Sequence, residues 1–162
     1  MGYLLDANAF IQASRFHYRF EFCDAYWEWI VRQHAVGKVF SIEKVGDEID
    51  AGTDLLADWA KLRGATFFLP PDPPVLAALA TVTNWVRSQS YSLPAINTFF
   101  AAADFHLVAH ALAHKHTVVT HEKAAPSIHT VKIPSVCIGV GVKCVTPFEM
   151  LTHERPRFVL GT

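Results

Sequence analysis

The sequence predicts an α/β protein, a three-layer α/β/α arrangement with a mostly parallel central sheet. Short apolar runs recur along the chain, separated by stretches whose apolar residues step by three and four. Strands alternating with helices imply βαβ units, whose crossovers place helices on both faces of a parallel sheet. The length of 162 residues, with 51% hydrophobic and 18% charged residues, suits one domain over 1–162 with a full apolar core.

Tyr3-Leu4-Leu5 is an apolar run that ends at Asp6 and reads as a buried first strand. Residues 17–35 carry Phe20, Cys23, Tyr26, Trp27, Ile30 and Val31 at helical spacing, with Gly37 closing the helix. Val39-Phe40 is a second strand. Ser41 reads as an N-cap, with Glu43 in the first turn of a helix that runs to about Asp50. The helix breaks at Gly52, restarts at Asp54 and stops at Gly64. Residues 65–69 read as a third strand ended by Pro70-Pro71, followed by a helix from about Pro74 to Arg87. The longest helical pattern runs from about Asn97 to Lys115, and Thr117–Thr120 is a strand. Two apolar runs follow, over 130–133 and 136–138. Pro147 opens a final helical turn, where its fixed φ and missing N–H are tolerated.

Composition and motifs exclude several functions. With 14 Lys+Arg against 15 Asp+Glu, there is no basic coat for nucleic acid, although a local patch is compatible with these numbers. The opening MGYLLDANAF lacks the basic start of a signal peptide. The most apolar long stretch, Thr66 to Val86, holds four prolines and an aspartate, which argues against a membrane span. Three cysteines without a CxxC pair suit thiols in a reducing cytoplasm. Phosphate-loop signatures and the GxSxG elbow are absent. The aromatics between Tyr18 and Trp29 sit mostly at helical spacing and read as core.

Ligands of a parallel sheet bind beyond the carboxyl ends of its strands. Asp6 directly follows the first strand, Glu48 lies on the helix after the second, and Glu122 lies two residues past the strand ending at Thr120. Asp104 borders the apolar stripe of its helix, and the helical pattern begins too far upstream for it to be a cap. Carboxylates gathered beside a core repel one another and resist desolvation. Mg²⁺ or Mn²⁺ removes both penalties, accepts hard oxygen ligands and can share its shell with a phosphate. Taken singly, each acid has a plainer reading: a strand-end turn for Asp6, a solvated helix face for Glu48, a loop for Glu122. Arg15, Lys44 and Lys123 are candidate phosphate contacts or ordinary surface cations.

Among nine histidines, His106, His110 and His114 share one helix side. On a helical wheel they fall away from the apolar stripe, which predicts a solvated or partner-facing row. No Cys or acid is spaced to complete a zinc tetrahedron. His121, between Thr120 and Glu122, reads as a loop residue or a phosphate contact. Gly139 and Gly141 read as a turn or bulge, and Cys137 and Cys144 as core thiols.

LLDANAF, SIEKVGDEI and AAADFHLVAHALAHKHTVVTHE, in that order, resemble the successive motifs of the PIN-domain family. The tail KIPSVCIGVGVKCVTPFEML is similar to a less-studied prokaryotic branch of it. The resemblance spans nearly the whole chain. It implies a VapC-like, Mg²⁺- or Mn²⁺-dependent endoribonuclease, the toxin of a type II toxin–antitoxin pair. Such a protein acts on RNA in the cytoplasm, is inhibited by a cognate antitoxin, can form a homodimer and has no membrane association. By position, Asp6, Glu48, Asp104 and Glu122 become the catalytic metal carboxylates, with Asn8 and Thr120 orienting ligands and water. Glu122 stands where many relatives carry Asp, and His116 where many carry Gly. Two alternatives remain: a non-catalytic PIN scaffold that binds RNA or protein, and an aspartyl-nucleophile phosphatase. The latter expects a second acid where Asn8 stands.

Overall fold

Tyr3–Leu5 forms β1, the middle strand of a sheet in which every pairing is parallel. The computed structural model describes residues 1–161. β1 is followed by α1 (Ala7–Gln12), a π-helical turn (Ala13–His17) and α2 (Asp24–Ala35). Then come β2 (Val39–Ile42), α3 (Glu43–Asp50), α4 (Leu55–Lys61), β3 (Phe68–Leu69) and α5 (Pro73–Ser88). The remainder is α6 (Leu93–Ala101), α7 (Ala103–His114), β4 (Thr117–Val119), α8 (Ile133–Val140), β5 (Cys144–Val145) and α9 (Pro147–Glu154). The strand order is β3-β2-β1-β4-β5, with Leu4 opposite Phe40 on one side and Val118 on the other. Leu4, Leu5, Val39, Val118 and Val119 are completely buried, as a parallel sheet covered on both faces requires. This is the three-layer α/β/α architecture that the sequence predicts. Among the described residues no helix is long and apolar enough to cross a membrane.

Local signals set several boundaries, those at Gly37, Asp54 and Gly64 as the sequence predicts. Asp54 and Asp72 cap α4 and α5, accepting from the amides of Ala57 and Val75. Thr146 caps α9, with Pro147 at its start. Gly37 and Gly64 take φ of +78° and +73°, the left-handed region that ends a helix at least cost in glycine.

Other boundaries differ. The helix expected over 17–35 begins only at Asp24. The chain between His17 and Cys23 turns so that Tyr18 stacks on Tyr26 and Phe20 on Trp27, both at 4.3 Å. Tyr26 and Trp27 are core, and Tyr18 and Phe20 pack half-buried against them. Ser41 lies inside β2 and caps nothing; its hydroxyl donates to the Leu5 carbonyl at 2.6 Å. The third strand is only Phe68–Leu69, because Ala65–Phe67 form a turn.

The long helix expected over 97–115 is two helices broken at Ala102, whose ψ of 159° is extended. No propensity announces a break within an alanine run. Packing imposes it, for Phe99 and Phe100 fold back onto Phe105 at 5.8 and 4.8 Å. The apolar runs over 130–138 resolve into the helix α8, which Pro134 helps to start and Gly141, at φ +78°, ends. Gly139 is no bulge: it lies within α8, where a Cβ would come within 2.0 Å of the Trp85 ring of α5. Cys137 is buried and Cys144 half-buried.

The histidine row is corrected too. α7 packs against α3, α5, α6, α8, β2 and β4, so more than one of its faces is covered. His110 is buried at 3% exposure, and burial pushes its pKa down to about 4. It is a neutral core imidazole at pH 7. His114 lies 2.7 Å from Asp72 at the start of α5.

Candidate functional site

The parallel register brings the ends of β1 and β4 side by side. The Asp6 amide donates to the Val119 carbonyl at 3.0 Å, and the Thr120 amide to the Val145 carbonyl at 3.0 Å. Asp6 leaves the sheet with extended backbone and caps α1, its Oδ1 accepting from the Ala9 amide at 2.7 Å. Its Oδ2 accepts from the Thr120 hydroxyl at 2.5 Å. Thr120 Oγ1 accepts in turn from the Glu122 amide at 3.1 Å. Glu122 Oε2 accepts from the Ile133 amide at 2.8 Å, which ties the loop after β4 to the start of α8.

Two further acids approach from the helices. Asp104 lies in the first turn of α7, because the break at Ala102 places a helix N-terminus there. An acid in the first turn is favoured by the helix dipole. The expectation that Asp104 sits deep within one long helix is therefore wrong, although it is still half-buried. Glu48 is exposed on α3. Asn8 is exposed on the first turn of α1, and no hydrogen bond ties it to the acids among the described residues.

The electrostatics show which acids are near one another. Burial, helped by the charges of Asp104 and Glu122, pushes Asp6 from 3.8 up to about 7, against the opposing bonds from Thr120 and Ala9. Burial also pushes Asp104 up to about 6, with Glu122 and Glu48 adding to the rise and Lys132 opposing it. Asp6, Asp104 and Glu122 thus repel each other, and Glu48 repels Asp104. Sequence reasoning missed Lys132, hidden in an apolar run, and Ser41, whose hydroxyl holds the β1 carbonyl just before Asp6.

All four candidates are carboxylates, a donor set that suits a hard divalent cation. Among the described residues no three such side chains stand close enough, as they lie, to hold one ion. Exposed Glu48 is free to turn toward Asp104, and the raised values of Asp6 and Asp104 express charge that the protein alone leaves uncompensated. In chemistry and electrostatics the residues fit such a cation. A cavity of about 610 Å³ lies elsewhere, at the opposite ends of β1 and β4 between Tyr3, Lys38, His116 and Lys143.

Strand order, layers and acid placement define the class: a three-layer α/β/α protein with carboxylates beyond the carboxyl edge of the sheet. The chain belongs to the family described as domain of unknown function DUF4411, whose model matches residues 3–158. No curated protein matches the chain in sequence. Two solved structures share the fold. FitAcB from Neisseria gonorrhoeae is 19% identical with a TM-score of 0.54, over 90% of this chain and 98% of that one. FitAB bound to the IR36 DNA fragment is 18% identical with a TM-score of 0.57, over 90% and 95%.

Proposed function

We propose that this chain is a Mg²⁺- or Mn²⁺-dependent endoribonuclease of the PIN type, the toxin of a type II toxin–antitoxin pair, held in check by a cognate antitoxin protein. The observation that carries the reading is that the paired ends of β1 and β4 place Asp6 and Glu122 on the two sides of Thr120, with Asp104 in the first turn of α7 close enough to add to the charge on buried Asp6. Such an arrangement is costly unless a cation joins it. The toxin role draws on the order of motifs along the chain and on the likeness in fold to FitAB.

The roles follow from the contacts. Asp6 offers a fixed carboxylate, oriented by the Ala9 amide and the Thr120 hydroxyl. Asp104 supplies a second carboxylate from α7, and Glu48 a third that can turn in from α3. Glu122 has one oxygen committed to the Ile133 amide and leaves the other for a water. Asn8, exposed on the first turn of α1, is assigned the orienting of ligands and water. A cation bound to these acids would lower the pKa of a water and offset charge on the phosphoryl oxygens. Hydrolysis of a phosphodiester at these acids would leave a 5′-phosphate and a 3′-hydroxyl.

The test is cleavage of labelled RNA by the purified chain with Mg²⁺ or Mn²⁺, compared with Asp6→Asn and Asp104→Asn. Both variants should fold and lose cleavage by several orders of magnitude. Equal rates in parent and variants would overturn the reading.

A further inference from the structure

Three rings from separate parts of the chain meet beside the acids. His17 ends the π-helical turn after α1, His121 follows β4 in the loop, and Phe148 lies in the first turn of α9. The ring centroids of His17 and Phe148 are 5.0 Å apart at 84°, those of His121 and Phe148 5.4 Å at 64°, and those of His17 and His121 5.7 Å at 36°. The cluster is not core: Phe148 is 45% exposed and His17 is exposed. Phe16, next to it on the π-helical turn, is 67% exposed. Phe148 meets both imidazoles edge to face, and these lie tilted against each other, so each ring is held by two others before anything binds.

Position gives this surface its meaning. His121 lies in the chain between Thr120, which holds Asp6, and Glu122, which holds the start of α8. Consecutive Cα atoms are about 3.8 Å apart, so the rings begin one residue from the acids. The chain has little positive charge to spend on phosphates, with 14 Lys+Arg against 15 Asp+Glu. A nucleic-acid ligand must therefore be held by something besides its backbone. Aromatic rings supply that by stacking on bases, and any base with an unpaired face will do. A duplex buries those faces.

We propose that His17, His121 and Phe148 form a stacking platform for an unpaired base next to the phosphate presented to the acids, so that the ligand is single-stranded nucleic acid. The platform rests on the nuclease reading for its purpose, but its binding is measurable without cleavage. The experiment is fluorescence anisotropy of a short fluorescein-labelled oligoadenylate with the full chain and metal chelated. The parent should bind the single strand and not its duplex with oligouridylate. Phe148→Ala and His121→Ala should each weaken binding by roughly five- to a hundred-fold, and Phe148→Trp should restore it. An abasic spacer at the stacked position should weaken the parent equally and cost Phe148→Ala nothing further. With Mg²⁺ or Mn²⁺ present, the alanine variants should raise KM and leave kcat unchanged.

The failures separate. If the chain cuts RNA and the alanine variants bind and cut like the parent, the platform is wrong and the nuclease stands. If the alanine variants bind weakly but the parent never cuts, the nuclease is wrong and the platform stands. If the parent binds no oligoadenylate, the platform is overturned, and the rings are left as a surface for a protein partner.

Discussion

The Thr120 hydroxyl donates to Asp6 Oδ2 at 2.5 Å, joining residues 114 apart in sequence at the paired ends of β1 and β4. The same oxygen accepts from the Glu122 amide, so one side chain positions two acids. Thr120→Val keeps the shape and removes both bonds. Stability should fall by about 2 kcal/mol, the usual cost of a buried polar group left unpaired, read by urea unfolding. Mn²⁺ affinity, read by calorimetry, should fall about ten- to a hundred-fold, as for other groups that orient a ligand.

Asp6 makes the metal-free protein sensitive to pH. Its carboxyl titrates near 3.8 in the unfolded chain and near 7 in the folded one, chiefly through burial. Between those values the folded state binds more protons, so stability falls as pH rises from about 4 to 7 and levels off above that. A rise of this size corresponds to about 4 kcal/mol. Asp104, raised to about 6 chiefly by burial, adds in the same direction. Thermal melting in chelator should show the midpoint falling across this window; a midpoint that rises through it would contradict the buried-charge argument.

Asp6→Asn should then separate stability from activity. The asparagine keeps an oxygen for the Ala9 amide and carries no charge. At pH 8 without metal the variant should melt above the parent, while RNA cleavage is lost. Adding Mn²⁺ at about a hundred times its dissociation constant should stabilise the parent by about 2.7 kcal/mol and leave the variant nearly unmoved.

Gly139→Ala tests the seat of α8 on α5. A Cβ there would lie 2.0 Å from Trp85 Cε2 and 2.1 Å from Cζ2, so the ring or the helix must move. Destabilisation of about 1–3 kcal/mol is expected from overpacking. Since Glu122 binds the first residue of α8, a displaced helix should also reduce cleavage; equilibrium unfolding and a rate assay read the two effects.

Asp6, Thr120 and the beginning of α9 are legible in the sequence because each depends on neighbours in the chain: an apolar run, the residue that ends it, a cap with its proline. The fold class is legible for the same reason, since a parallel sheet covered on both faces needs short, wholly apolar strands. The break at Ala102 is not, because it falls inside a run of alanines, the best helix formers, and three phenylalanines decide otherwise. Nor is the burial of His110, since a helical wheel assumes one buried face and α7 has more than one.

By itself the sequence determined that strands alternate with helices from β1 to β4 and which acids end up just past strands, because propensity, capping and alternation act over a few residues. Only the tertiary structure decided that Thr120 holds Asp6, that Glu122 anchors α8, that Asp104 begins a helix, and that His17, His121 and Phe148 share one surface. Those contacts join segments remote in the chain, and their geometry comes from strand register and side-chain packing, which no local pattern encodes.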